Sequence, residues 1–444
     1  MTDSPRPSAW ALLPLVLFLA LFFGAGLYFT AQGTEMGFYQ LRAPVAILPA
    51  LALGAFLVWR RGLKPTEIVL SGMGHSNVML MVLVFLLAGA FATVTKAIGA
   101  VDAVVAMGLG NLPPQMILPG MFLISALVAL AIGTSMGTIA AVTPIAVGIA
   151  THGSFDMPLM VGAVIGGAMF GDNLSMISDT TIAATRSQGV RMKDKFRENF
   201  KIALPAALLT TVLLFALGES GQTIAPSHQG WWLALPYALV LVLALLGMDV
   251  LLVLAIGIAI AGLFGFLTND YSVTAFATDI YAGFESMVEI LLLSMLIGGL
   301  AELMRAGGGL AWLSGKIRQF AGAHTSRRAG ELSIASLSLA TDALTANNTV
   351  AILVSGPLAK DIADHHGVSR TRSASLLDIF SCVAQGIIPY GAQILLAASL
   401  AGMSPLHLVT AVHYCYILAL VALGFILFGG DKDSTTKDAA RYGQ

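Results

Sequence analysis

Eleven residues from Gly171 to Thr181, GDNLSMISDTT, include seven Asp, Asn, Ser or Thr side chains in an otherwise apolar stretch. Asp172 and Asp179 are spaced to share one face of a continuous helix, about 10.5 Å apart. Gly171 and this density of side chains competing for backbone hydrogen bonds predict a break in the helix instead. An unwound turn exposes carbonyl oxygens. With Asn173, Ser175, Ser178 and Thr180 beside the two carboxylates, the segment offers the oxygen ligands of a small hard cation, so sodium is expected on Asp172 and Asp179. The plainer alternative is a polar loop capping a shorter helix.

Three other places break the apolar pattern. Gly133–Thr138 (GTSMGT) and Thr345–Thr349 (TANNT) put small hydroxyls and amides where two helical arms would meet, giving Thr134, Ser135, Thr138, Thr345, Asn347, Asn348 and Thr349 as candidates for an ion or substrate. Capping without a ligand is the alternative. Ile388–Gln393 (IPYGAQ) places Pro and Gly in a long apolar run, which predicts a second interruption with Tyr390 at it and Asp378 about three turns earlier. A plain proline kink is the alternative there. Asp342 stands just before the second tip and is an even choice between site and structure. Glu289 lies near a helix end, and Asp249 reads as a tight turn between two spans. None of the eight histidines forms an HExxH pair, and no Walker A sequence is present. A zinc enzyme and a nucleotide-driven pump within this chain are therefore not indicated, and neither is nucleic-acid binding. Cys382 and Cys415 read as packing thiols.

These side chains need a scaffold that tolerates so little charge. Of 444 residues 57% are hydrophobic and 11% charged, against about 25% charged in a soluble domain. Apolar runs near the ~20 residues that cross a ~30 Å hydrocarbon core recur along the chain. The expected fold is an all-α polytopic membrane protein with about ten transmembrane helices, near 10–29, 43–59, 77–97, 158–185, 201–218, 231–247, 250–268, 286–304, 373–402 and 408–429. Two interrupted stretches, 115–150 and 330–362, are read as re-entrant hairpins; pairs of short spans would keep the same parity. The run from Ala9 to Phe29 lacks a small-residue cleavage site and is read as a retained first helix.

Basic residues cluster at 60–64, 186–201, 305–328 and 360–372. The positive-inside rule places these clusters in the cytoplasm, which puts both termini inside and the protein in the inner membrane. The whole 186–201 cluster is read as an orienting loop with no part in transport.

The chain also resembles itself. GHSNVMLMVLVFLLAGAFATVTKAIGA from Gly74 aligns with GFESMVEILLLSMLIGGLAELMRAGGG from Gly283, and TSMGTIAAVTPIAVGIA from Thr134 aligns with NNTVAILVSGPLAKDIA from Asn347. In the first half the loop before the 158–185 helix lacks basic residues and the loop after it is rich in them. Around the 373–402 helix the pattern is reversed. This predicts a 5+5 inverted repeat, residues 10–218 and 231–429, within one transporter domain of 1–429, followed by a polar cytoplasmic tail of 430–444.

The motif FGDNLSMISDTT at Phe170–Thr181 resembles the FGD-x-x-S-P-x-S-D-T-T of NhaC-type sodium/proton antiporters. GTSMGT at Gly133–Thr138, Ser369-Arg370-Thr371 and Ile388-Pro389-Tyr390 are similar to further elements of that family. Met176 departs from its Pro, Tyr390 from its Trp, and TANNTVAI from a stretch that carries an Asp in better-known members. The resemblance spans roughly 74–405. It implies a secondary active transporter, most readily a sodium/proton antiporter with alternating access, in which sodium and a proton compete for a buried carboxylate. It implies no cofactor beyond the coupling ion. The partners expected are the lipid bilayer and a small ion or small molecule, and a homodimer is compatible with the sequence. The alternative is a sodium- or proton-coupled transporter of a small organic acid or amino acid. The core has no Arg to pair with a carboxylate, which leans toward a cation.

Overall fold

The computed structural model describes residues 6–33, 40–103, 113–176, 178–218, 231–246, 248–268, 271–322 and 326–429. The expected tail of 430–444 lies outside the described residues, as does the loop 219–230. Every regular element among the described residues is helical.

The chain opens with α1 (Leu13–Ala31), α2 (Ala43–Ala46), α3 (Leu48–Trp59), α4 (Pro65–Met73) and α5 (Ser76–Ala97). After them come α6 (Ile117–Ile132) and α7 (Ser135–Gly153), then α8 (Met157–Leu174) and α9 (Asp179–Gln188), then α10 (Met192–Leu217). The later part begins with α11 (Leu235–Leu245), α12 (Val250–Thr268), α13 (Val273–Ala306) and α14 (Gly309–Gly322). It continues with α15 (Arg327–Thr345), α16 (Asn348–His366), α17 (Arg370–Ile387), α18 (Ala392–Ala401), α19 (Pro405–Ala411) and α20 (His413–Phe428).

Nine helices among the described residues are long and apolar enough to cross a membrane, or ten if α19 and α20, bent by 50° to each other, form one span. The total matches the expected number, but the membership differs. The 43–59 and 231–247 segments form shorter apolar helices, whereas both arms around the first tip reach spanning length and hydropathy. The arms around the second tip do not, because α15 and α16 carry Arg327, Arg328, Glu331, Asp342, Lys360, Asp361 and Asp364.

Two backbone reversals make the tips. Gly133 (φ 77°) ends α6 in the left-handed region, and Thr134 is extended before α7 starts. Ala346 (φ 49°) and Asn347 do the same between α15 and α16, and the Asn347 side chain accepts from the Val350 N–H. A β-carbon makes that conformation costly, by about 1–2 kcal/mol, so Ala346 is held there by its surroundings. The left-handed positions recur in register: 346 − 133, 367 − 154 and 402 − 189 all give 213. The helix limits follow the same interval, since α7, α8 and α9 become α16, α17 and α18 without a change in length.

Glycines bring helix backbones together where the site is built. On Gly167 and Gly171 of α8 a Cβ would collide with the carbonyls of Phe122 and Ala126 on α6. In α5 and α13 the close approaches are Gly89 to Gly283, and Gly72 of α4 to Gly298. From Gly89 to Thr93 of α5 the residue met on α13 falls from Gly283 to Asp279, whose carbonyl accepts from the Thr93 hydroxyl at 2.8 Å, so the two helices run antiparallel. Small residues allow such contacts, and dispersion then holds helices that gain nothing from leaving lipid. Gly89→Val should therefore destabilise the fold by about 1–3 kcal/mol, read as a lower melting midpoint of the detergent-purified protein. Gly24→Val, where a Cβ meets nothing within 4 Å, should melt like the parent; equal midpoints for both would remove the α5–α13 contact from the argument.

Candidate functional site

The expected break is present. Helix α8 ends at Leu174, Ser175 and Ser178 are extended, and α9 begins at Asp179. The turn is tied to itself: the Ser175 N–H donates to the Gly171 carbonyl at 2.8 Å, and the Thr181 hydroxyl donates to the Ser175 carbonyl at 2.7 Å.

Asp172, in the last turn of α8, is 3% exposed. Its Oδ2 accepts from the Ser135 hydroxyl at 3.1 Å and its Oδ1 from the Ser178 hydroxyl. Gln393 Nε2 donates to Ser135 Oγ at 3.2 Å, and the Ser178 and Thr180 hydroxyls lie 2.7 Å apart. One polar chain thus links the first tip, both sides of the first break and the first turn of α18. A carboxylate at the negative end of a helix makes this spot doubly suited to a cation.

A cavity of about 370 Å³ opens on this chain. Of the expected residues, Thr134, Ser135, Asp172, Ser178, Asp179, Thr180, Asn347, Asn348 and Thr349 line it. Both tips therefore reach one space. Asp179 is exposed into it from the first turn of α9, where a carboxylate also suits the helix dipole. Asp249 lines it too, while its Oδ1 accepts from the Leu251 N–H at 2.9 Å, so the turn expected there also contributes a charge to the wall. Among the described residues the lining includes three carboxylates and no Lys, Arg or His.

The remaining candidates do not line this cavity. Thr138 and Thr345 bond back to the carbonyls of Thr134 and Thr341, at 3.1 and 3.0 Å. Tyr390 donates to the Ala343 carbonyl at 2.7 Å. Asp342 is fully buried behind the second tip, and neither of its carboxylate oxygens has a partner among the described residues. Asn173 and Ser175 lie on the far side of the break, where the Asn173 carbonyl accepts from Lys195 and Asn199. Asp378 is paired with Lys195 at 2.7 Å, with both side chains buried.

That pair corrects two readings. The 186–201 cluster is not wholly an orienting loop, because Lys195 belongs to α10 and points into the protein. Nor does the interior lack basic groups, since Arg372 is buried as well and meets Glu331 at 3.1 Å and Glu198 at 3.4 Å. Sequence reasoning also missed Asn77 and Gln393, which line the cavity, and Gln385, whose Nε2 donates to the Ala346 carbonyl of the second tip at 3.2 Å. The two glutamines stand 213 positions after Asp172 and Thr180 (385 − 172 and 393 − 180), so the repeat was the signal that could have found them.

A model of the Na+/H+ antiporter family matches residues 66–219 and 223–430. The Na+/H+ antiporter NhaC of Bacillus subtilis is 24% identical over 394 residues, covering 80% of this chain and 84% of that one. A malate-2H+/Na+-lactate antiporter of the same organism is 25% identical over 248 residues, 52% of this chain and 53% of its own. The arginine/ornithine antiporter ArcD of Halobacterium salinarum is 23% identical over 408 residues, 83% of each chain.

Proposed function

Since this chain belongs to the Na+/H+ antiporter family, we propose that it exchanges sodium for protons across the membrane by alternating access, with Asp172 as the carboxylate both ions use. The observation that carries this is the cavity wall, where Asp172, Asp179 and Asp249 stand among hydroxyls and amides with no basic side chain among the described residues. Burying a lone carboxylate charge is costly, so Asp172 crosses between access states only when a proton or a sodium ion neutralises it. Ser135 and Ser178 donate to the ionised carboxylate, and each hydroxyl can turn a lone pair toward sodium instead. Gln393 holds Ser135 from the other half of the chain. Sodium arriving from one face displaces the proton, the loaded site turns to the other face, and a proton arriving there releases the sodium.

The 213-residue register and the antiparallel crossing of α5 with α13 support the architecture this needs. It is a 5+5 inverted repeat, 10–218 and 231–429, with re-entrant hairpins whose tips meet at the cavity. The basic clusters support an inner-membrane location with both termini cytoplasmic. No cofactor is required, because the ion gradient supplies the free energy.

A second reading rests on the cavity's size, which exceeds what a lone ion needs and falls in the range of small-molecule pockets, roughly 300–1,000 Å³. It is ion-coupled transport of a small organic acid or amino acid, the kind of cargo named for two of the relatives. Proteoliposomes loaded with a pH dye separate the two. A sodium pulse alone should move protons. Proton movement only when malate, lactate, arginine or ornithine is added would replace the first reading with the second.

A further inference from the structure

The break between α8 and α9 has two sides. Asp172, Ser178 and Thr180 face the cavity, whereas the Asn173 carbonyl and the Thr181 hydroxyl face α10. Lys195 enters on that far side from the first turn of α10 and is 1% exposed. Its Nζ lies 2.6 Å from Thr181 Oγ1, 2.7 Å from Asp378 Oδ2 and 3.2 Å from the Asn173 carbonyl. Three N–H donors thus meet three oxygens, one each from α8, α9 and α17.

A carboxylate, a hydroxyl and a carbonyl at the broken end of a helix are also what a free monovalent cation takes as ligands. Asn199 donates from Nδ2 to the Asn173 carbonyl at 2.8 Å and to Asp378 Oδ2 at 2.7 Å, while its own Oδ1 has no partner among the described residues. A half-turn of that amide would add a fourth oxygen. Asp378 Oδ1 is likewise buried without a partner among the described residues. An ordinary structural tie between two helices needs neither the break's carbonyl nor a fully enclosed ammonium.

We propose that Lys195 is the tethered occupant of a second cation site, formed by Asp378, Thr181 and the Asn173 carbonyl, and that removing it opens this cage to a free monovalent cation. With Lys195 in place the Asp378 charge is met within the protein, and Asp172 remains for the mobile ion. Lys195 thereby sets how many free cations the broken helix holds. That consequence for transport rests on the antiport reading, whereas the cage itself does not.

The test is equilibrium binding of radioactive sodium to the full chain purified in detergent, against a choline background. Lys195→Ala should bind one more sodium per chain than the wild type. Lys195→Ala with Asp378→Asn should lose that extra ion, and Lys195→Met, whose side chain fills the cage, should not gain it. Because the readout is an increment, a wild type that binds no sodium would end the antiport reading and leave this one standing. Should Lys195→Ala be recovered folded only when sodium, potassium or methylammonium is present during extraction, that dependence is itself the expected filling of the cage. A folded Lys195→Ala with the wild-type count overturns the proposal. So does equal loss of folded protein in choline and in all three cations.

Discussion

Sodium-triggered proton movement in Asp172→Asn should fall to the level of protein-free liposomes while the folded yield stays close to that of the parent. The substitution keeps the side chain's size and removes both its charge and its proton. Folding should survive because a buried amide is cheaper than a buried carboxylate; of the Ser135 and Ser178 hydroxyls that donate to the two Asp172 oxygens, one keeps donating to the amide oxygen and the other rotates to accept from the new NH2. Asp179 serves as the comparison. It lines the same cavity, but from an exposed position at the start of α9. Its charge raises the local cation concentration through a partly solvated path, so Asp179→Asn should raise the half-saturating sodium concentration by about three- to tenfold and leave the maximal rate nearly unchanged. That shift should shrink in higher ionic strength. Wild-type exchange in Asp172→Asn would end the mechanism drawn above. A total loss in Asp179→Asn instead would transfer the ion site to the exposed carboxylate.

The two breaks and the two tips were legible because their chemistry conflicts with lipid. Seven polar side chains in eleven residues cannot continue a lipid-facing helix, and the turns at Gly133–Thr134 and Ala346–Asn347 fall inside the predicted segments. What spacing along the chain did not reveal was which way each side chain faces once the helix unwinds. Asp172 stands before the break and Ser178 after it, yet both meet the cavity, whereas Thr181 meets Lys195. Helical periodicity fails across a break, and so it could not sort them.

Lys195 was hidden for a different reason. The positive-inside rule sums basic residues near a membrane face and does not ask about depth. The signal was present in α10 itself, where Lys193, Arg197 and Lys201 are exposed at intervals of four while Lys195, Asn199, Ile202 and Ala206 are buried along the opposite stripe. A lysine on the apolar side of an amphipathic helix needs a partner, and Asp378 is that partner.

This pairing reverses the expected order of effects for Asp378. From the sequence, Asp378→Asn should have a smaller effect than the same change at Asp172 or Asp179, because its half of the site offers Pro389, Tyr390 and Gly391 in place of acids. In the folded protein the same change leaves the Lys195 ammonium buried without its countercharge, and breaking a buried ion pair from one side costs about 3–5 kcal/mol. The expected result is a sharp drop in folded yield and melting midpoint, with whatever protein survives still dependent on Asp172. Replacing both partners by uncharged groups of similar volume is often neutral, so Lys195→Met with Asp378→Asn should recover most of the lost stability. The recovered double variant should exchange sodium for protons per folded molecule, since Asp172, Ser135 and Ser178 are untouched. Melting curves of the single and double variants decide the point. An Asp378→Asn protein as stable as the wild type would mean that Lys195 does not depend on Asp378 for its charge, and the cage behind the break would lose its carboxylate.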